Sequence, residues 1–156
     1  MRSFFLNASD LTDDDEIMLF KQGEVVVQAA GGFIWSKSQL RNLLSPELVI
    51  ILVSRGEQDL IIVKLPEESD LPRESQISSL RGLLFNSEDA LVKAGKGNQI
   101  LDWYHSHQFC GYCAAPTAPF ENQLAFVCER CNHHFFPRIN PCVIVLVTQG
   151  FILGKK

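Results

Sequence analysis

Four cysteines in two C-x2-C pairs are the residues whose types and spacing most clearly indicate chemistry. Cys110 and Cys113 form one pair, Cys128 and Cys131 form the second, and fourteen residues lie between the pairs. Two such pairs supply four thiolates, which bind Zn2+ in a closed tetrahedral site with bonds of about 2.3 Å. A closed site leaves no position for water, so the spacing predicts a structural zinc ribbon over residues 105–137 rather than a catalytic metal.

Two other uses of these cysteines stay open on spacing alone. Iron in a rubredoxin-like site also takes two cysteine pairs, so the pattern does not separate iron from zinc. A redox dithiol fits less well, because thioredoxin-type chemistry uses one C-x-x-C at the start of a helix. The fifth cysteine, Cys142, lies in an apolar run and is interpreted as a buried core thiol.

Four histidines lie near the cysteine pairs, although four cysteines already complete a zinc site. His133 and His134 follow the last cysteine, and we expect them to be solvated or packing residues. His105 and His107 come at the end of a predicted helix, where the negative end of the helix dipole favours a cationic side chain.

Composition and charge restrict the classes of function. The chain has 156 residues, of which 46% are hydrophobic, and its formal net charge is −4. Residues 1–104 carry 10 basic and 16 acidic side chains, whereas residues 105–156 carry 4 and 2. The acidic balance argues against a broadly basic nucleic-acid-binding surface. No apolar run reaches the roughly 20 residues that span a bilayer and no signal peptide is recognisable, so we expect a cytoplasmic protein without membrane contact.

Short apolar and β-branched runs predict the strands of an α+β fold. A polar, glycine-containing loop between the second and third runs is suited to a hairpin. A further apolar run over residues 141–147, followed by a turn and residues 151–153, predicts the first hairpin of another sheet. The predicted strands before the cysteines are Glu24–Gln28, Leu48–Val53 and Leu60–Lys64. We expect a small antiparallel-sheet N-terminal domain with helices over residues 1–104.

Two helices are predicted around these strands. A short one lies between Phe33 and Pro46, with a serine as its N-cap. A longer helical pattern begins near Ser87, and Gly95–Gly97 weakens its middle, so that either one helix or two shorter ones fit the sequence. The acidic run Asp13–Glu16 is interpreted as a solvated face or a helix start.

The motifs around the cysteines resemble those of a known family. A W-x3-H-x-F-C-x2-C segment begins at Trp103, and an F-P-R-x-x-P segment begins at Phe136. Found together and in this order, they resemble the NADH pyrophosphatases, the zinc-ribbon branch of the Nudix hydrolases. The resemblance extends from about Leu80 to the end, whereas residues 1–80 match only in length and strand-rich character.

The resemblance implies an enzyme of three parts. Residues 1–104 would be a variable N-terminal domain, residues 105–137 the zinc ribbon, and residues 138–156 the first strands of a Nudix domain. The family cleaves the pyrophosphate of NAD(H) to NMN(H) and AMP with Mg2+ or Mn2+, and it also removes NAD caps from RNA. Its members are commonly homodimers.

The Nudix signature itself is absent from the sequence. That signature, G-x5-E-x7-R-E-U-x-E-E-x-G-U with U aliphatic, places metal-binding glutamates on one helix. Glu67-Glu68 and Arg73-Glu74 stand in the wrong order and precede the ribbon. We therefore expect this chain to be the front half of such an enzyme, without catalytic residues or Mg2+ ligands and inactive by itself.

One ligand contact of the family maps onto this chain. The resemblance implies that Phe136, the aromatic residue before Pro137, stacks on a ring of the dinucleotide, since stacking requires only a π-face. Phe135 is the less favoured candidate for this contact, and both rings could instead be packing residues of the ribbon. Ile144 would line the same pocket or belong to the sheet core, and Arg138 could neutralise a phosphate.

A second class of function also fits the sequence. Zinc ribbons can serve as binding modules for nucleic acid or protein, and the ribbon region combines aromatic residues with Arg130 and Arg138. Such surfaces can stack single strands. Tight, salt-dependent binding to generic RNA would favour this alternative over the enzyme.

Overall fold

Two sheets and two α-helices form the part of the chain that the structure, a computed structural model, describes: residues 2–85, 88–120, 122–138 and 145. The helices are α1 (Lys37–Leu40) and α2 (Glu88–Ser106). Short 3-10 turns lie at Ala8–Asp10 and Gly82–Phe85. The strands are β1 (Phe5–Leu6), β2 (Glu16–Lys21), β3 (Glu24–Gln28), β4 (Ile34–Trp35), β5 (Val49–Ser54), β6 (Leu60–Lys64), β7 (Ser75–Ser78), β8 (Thr117–Pro119), β9 (Phe126–Cys128) and β10 (His134–Phe135).

The larger sheet has the strand order β1-β5-β6-β2-β3-β7, and β4 also pairs with β2. The predicted α+β class is confirmed, as are β3, β6 and the antiparallel β5–β6 hairpin. The sheet is mixed rather than antiparallel, because β2 pairs with β6 in parallel. Strands β3, β4 and β5 lie between β2 and β6 in the sequence. After them, β6 lies beside β2 and runs in the same direction.

The central strand β2 was not predicted from the sequence. Its residues are almost all buried, since alternate side chains enter different cores on the two faces of the sheet. Met18 and Phe20 pack towards α2, whereas Ile17 and Leu19 pack towards Trp35. A strand buried on both faces has a continuous apolar run instead of an alternating pattern.

Helix α2 is continuous through the predicted weak point at Gly95–Gly97. Gly97 is buried, and a Cβ atom built there would lie 2.9 Å from Ile62, 3.0 Å from Phe20 and 3.1 Å from Met18. The glycine therefore lets the helix backbone approach the sheet closely. Packing against the sheet compensates for the low helix propensity of glycine. The predicted N-cap Ser87 lies outside the described residues.

The acidic run at Asp13–Glu16 is not simply a solvated face. Asp15 is only 6% exposed, and both of its carboxylate oxygens accept hydrogen bonds from the Arg2 guanidinium, at 2.6 and 2.7 Å. Although burial by itself would raise the pKa of Asp15, the contact with Arg2 keeps it below its ordinary value. Glu16 begins β2 and pairs with Lys93 of α2 at 3.0 Å. These ion pairs join segments that are far apart in the sequence.

The smaller sheet has the order β10-β9-β8 and carries the second cysteine pair at the end of β9. Phe126 of β9 is 1% exposed and lies in the same core cluster as the α2 face of the larger sheet. Within the described ranges, no helix has the length and apolar character needed to cross a membrane. Apart from Val145, the predicted hairpin after residue 140, with Cys142 and Ile144, falls outside the described residues.

Candidate metal centre and ring-stacking face

The two cysteine pairs adopt the same local turn. The carbonyl oxygen of Cys110 accepts a hydrogen bond from the Ala114 N–H, and that of Cys128 accepts one from the Asn132 N–H, both at 2.8 Å. Ala114 and Asn132 have positive φ angles of 58° and 57°, which reverse the chain directly after each pair. Asparagine adopts this conformation readily, whereas alanine does so at a cost. Two equivalent turns thus direct four thiols to one point.

The four sulfur atoms form a compact group. The Sγ–Sγ distances are 3.5 Å for Cys110 and Cys131, 3.5 Å for Cys113 and Cys128, and 3.6 Å for Cys113 and Cys131. All four atoms lie within 4.8 Å of one another. A tetrahedral ion with bonds of about 2.3 Å has sulfur–sulfur edges of about 3.8 Å, so the thiols are close to zinc geometry without rearrangement.

Backbone N–H groups around the cluster favour thiolates. The Tyr112 N–H donates to the sulfur of Cys110 at 3.4 Å. The backbone N–H of Cys131 lowers the pKa of Cys128 to about 6. The His133 N–H also favours the Cys131 thiolate, but burial and the neighbouring sulfurs outweigh it and raise the pKa of Cys131 to about 12. A dication at the centre would stabilise all four thiolates, including that of Cys131, since metal ligation deprotonates thiols.

Among the described residues, the four cysteines are the one group of three or more side chains suited to hold a metal. Each histidine has another contact. His105 Nε2 lies 2.7 Å from the Lys64 ammonium, and His107 Nδ1 lies 2.9 Å from the Trp103 carbonyl oxygen. His133 stacks on Tyr112 with ring centroids 4.9 Å apart. Burial and the nearby Lys64 charge lower the pKa of His105, so this ring is neutral rather than cationic as the helix dipole suggested.

Phe135 and Phe136 point to opposite faces of the smaller sheet. Phe135 pairs with Phe126 in the β9–β10 register and is half-buried against the core. His134 pairs with Val127 and is exposed. Phe136, two residues further on, is 47% exposed, and its ring stacks with that of His134 at 6.4 Å between centroids. The alternation along the strand thus leaves Phe136 accessible to a ligand and engages Phe135 in packing.

Sequence reasoning missed the role of Phe126. Its ring centroid lies 5.0 Å from that of Trp103, 5.3 Å from Tyr104 and 5.6 Å from Phe5. This contact attaches the ribbon to α2 and to the edge strand β1. A large aromatic residue two positions before a cysteine ligand was the available signal, but its partners could not be identified without the fold.

Comparisons with known proteins agree with this geometry. Residues 105–136 match the model of the NADH pyrophosphatase zinc ribbon domain. The chain is 36% identical over 78 residues to the NAD-capped RNA hydrolase NudC of Pectobacterium carotovorum subsp. carotovorum and to that of Pectobacterium atrosepticum, and 35% identical over 78 residues to that of Citrobacter koseri.

Each alignment covers 50% of this chain but only 30% of the relative. The matching part of the chain therefore spans less than a third of the length of these relatives. The cluster of four thiols and the similarities in sequence together show that residues 105–136 are similar to the zinc ribbon of the NADH pyrophosphatases.

Proposed function

We propose that this chain is the N-terminal and zinc-ribbon portion of a Nudix pyrophosphatase that hydrolyses the pyrophosphate of NAD(H) to NMN(H) and AMP. NAD-capped RNA would be a further substrate, in keeping with the names of the relatives. The observation that carries the proposal is the cluster of four thiols within the segment that matches the family's zinc ribbon.

In this proposal the zinc ion is structural and is held by Cys110, Cys113, Cys128 and Cys131. Four protein ligands close the coordination sphere, so the metal activates no water. Its role is to hold β8, β9 and β10 together, so that Phe126 faces the core and Phe136 faces outward. The exposed Phe136 ring then stacks on a ring of the dinucleotide.

Catalysis would depend on residues that the 156-residue sequence does not contain. Mg2+ or Mn2+ would polarise a phosphoryl oxygen and activate water, but the carboxylate helix that holds such ions in the family has no counterpart here. Residues 1–104 would serve as the N-terminal domain, 105–137 as the ribbon and 138–156 as the start of the Nudix domain. We further propose a homodimer in the cytoplasm, where reducing conditions keep four cysteines available for zinc.

An activity assay tests this division of roles. The chain is loaded with zinc and incubated with NADH and either Mg2+ or Mn2+, and NMNH and AMP are measured by chromatography. We expect no turnover from the chain, and the Pectobacterium carotovorum relative, assayed on NAD-capped RNA, is the positive control for hydrolysis. Turnover by the chain would show that catalysis does not need the Nudix signature.

A binding-module function has one observation in its favour. Phe109 and Tyr112 are 67% and 78% exposed on the ribbon, and exposed aromatic rings can stack on single-stranded bases. Gel-shift titrations with a generic RNA at low and moderate salt measure this directly. Tight binding that weakens steeply with salt would favour the binding module, whereas weak binding at both salt concentrations would leave the pyrophosphatase portion as the better assignment.

A further inference from the structure

The outer face of the ribbon sheet carries two exposed rings that lie nearly parallel. The His134 and Phe136 rings have centroids 6.4 Å apart and planes inclined by 17°. Both side chains are exposed. They are two residues apart at the end of β10, so they project from the same face, opposite to the buried Phe126. Neither ring belongs to a core cluster of the described residues.

Two contacts hold the His134 ring in this orientation. Its Nδ1 lies 3.1 Å from the carbonyl oxygen of Asn132, which can only accept, so Nδ1 carries a proton and donates. Phe120 contacts the same imidazole in a T-shaped arrangement, with centroids 5.1 Å apart and planes inclined by 84°. A ring that is already oriented loses less conformational entropy when a ligand binds.

The separation of the two rings suits one flat ring between them. Carbon atoms in contact lie about 3.5 Å apart, so a planar ring held on both faces requires about 7 Å between the outer rings. The ring centroids are 6.4 Å apart, which is the upper limit of the present gap between the planes, so a rotation of an exposed side chain has to widen the gap before a ligand ring can enter. The other stacked pair of the ribbon, Tyr112 and His133, is already closed at 4.9 Å.

We propose that His134 and Phe136 form a clip that holds one heteroaromatic ring of a nucleotide between them. The inference rests on the proposed function for its ligand, and it adds His134 as a second stacking ring opposite Phe136, the residue to which the family resemblance assigned the stacking contact. Two parallel π-faces select a flat ring over a ribose or an aliphatic group. The ring can come from a free nucleotide or from the 5′ end of an RNA.

The test is a titration of the zinc-loaded 156-residue chain with AMP, NMN and the dinucleotide ApA, followed by ligand proton NMR. A ring held between two aromatic faces shifts upfield, and the shift yields the dissociation constant. Base stacking by one aromatic side chain corresponds to about a fivefold or larger change in affinity. We expect His134→Ala and Phe136→Ala each to weaken binding by at least that factor.

His134→Phe should preserve affinity because it keeps the π-face, and Val92→Ala, at an exposed position on α2, should leave binding unchanged. His134, Phe136 and Val92 are all exposed, and zinc content confirms that each variant keeps its fold. Tighter binding of ApA than AMP would identify an RNA end as the better source of the ring, and equal binding a free nucleotide.

Three results would overturn the clip. If His134→Ala binds like the parent chain while Phe136→Ala loses affinity, stacking by Phe136 stands but the clip does not. If neither substitution matters, both the clip and the proposed Phe136 contact are wrong. If the parent chain produces no shift at millimolar ligand, the clip is wrong, while the pyrophosphatase assignment is still decided by the NADH assay.

Discussion

The indole ring of Trp103 and the phenyl ring of Phe126 lie with centroids 5.0 Å apart and planes inclined by 34°. Trp103 belongs to α2 and is 5% exposed, and Phe126 belongs to β9 and is 1% exposed. Tyr104 and Phe5 contact the same phenyl ring. The ribbon is therefore attached to the N-terminal part of the chain by a buried aromatic cluster as well as by the polypeptide connection.

Replacing Phe126 with alanine should destabilise the fold by about 3–5 kcal/mol, the usual cost of removing a fully buried phenyl ring. Equilibrium urea unfolding, followed by tryptophan fluorescence, measures this change. Val127→Ala is the matched control, because Val127 is the next residue of β9 and lies half-buried on the opposite face. Equal losses for the two variants would contradict the role assigned to Phe126.

Two glycines of α2 should respond oppositely to alanine. A methyl group at Gly97 meets Ile62, Phe20 and Met18 at 3.1 Å or less, so Gly97→Ala should cost about 1–3 kcal/mol through overpacking. No atom lies within 4 Å of a Cβ built at Gly95, so Gly95→Ala should stabilise the helix by up to about 1 kcal/mol. Urea midpoints measure both changes, and a stabilising Gly97→Ala would disprove the close helix–sheet contact.

Removing the metal should unfold the ribbon before the larger sheet. Zinc binding in such modules corresponds to roughly 10–16 kcal/mol of apparent free energy. Among the described residues of the range 107–136, the buried apolar side chains other than the zinc ligands are those of Ala125 and Phe126. We expect one zinc per chain by elemental analysis. Chelation should speed amide hydrogen exchange in the ribbon while β5 and β6 stay protected.

Single substitutions separate metal ligation from general damage to the ribbon. Cys128→Ser should lower the zinc content well below one per chain, whereas His133→Ala, at an exposed position near the same turn, should leave it unchanged. If elemental analysis finds iron instead of zinc, the assignment of the metal as zinc is wrong. Full zinc occupancy in Cys128→Ser would contradict the four-cysteine site.

Stability should fall as the pH drops below about 6.5, the ordinary value for histidine. Burial and Lys64 lower the pKa of His105 in the folded chain, so the unfolded chain binds a proton first and acid favours unfolding. The effect is fully absent above that pH and grows as the pH falls towards the folded pKa. Because His105 is exposed, solvent screening keeps the effect small.

Urea midpoints at pH 7.5 and 5.5 measure this dependence. His105→Gln keeps a polar side chain beside Lys64 but cannot titrate, so the difference between the two midpoints should shrink in this variant. The carboxyl of Asp15, whose pKa is lowered by Arg2 despite burial, stays ionised at both pH values and does not contribute to this difference. An unchanged pH dependence in His105→Gln would contradict the role assigned to the Lys64–His105 contact.

Local spacing in the sequence was sufficient to predict several features. The two C-x2-C pairs indicated a four-thiol cluster, and the structure brings those sulfurs within 4.8 Å. Strands β3 and β6 begin and end at the predicted residues. In each case the pattern depends on a few neighbouring residues, whose backbone geometry and side-chain alternation are largely local properties.

The tertiary structure alone decided the features that depend on distant contacts. It places β2 beside β6 in parallel, buries Asp15 against Arg2, and keeps α2 intact because Gly97 meets the sheet. It also directs Phe126 inward and leaves Phe136 exposed. Each outcome depends on partners at least 13 residues away in the sequence or on which sheet face meets the core, and the free energy of such packing outweighs local propensity.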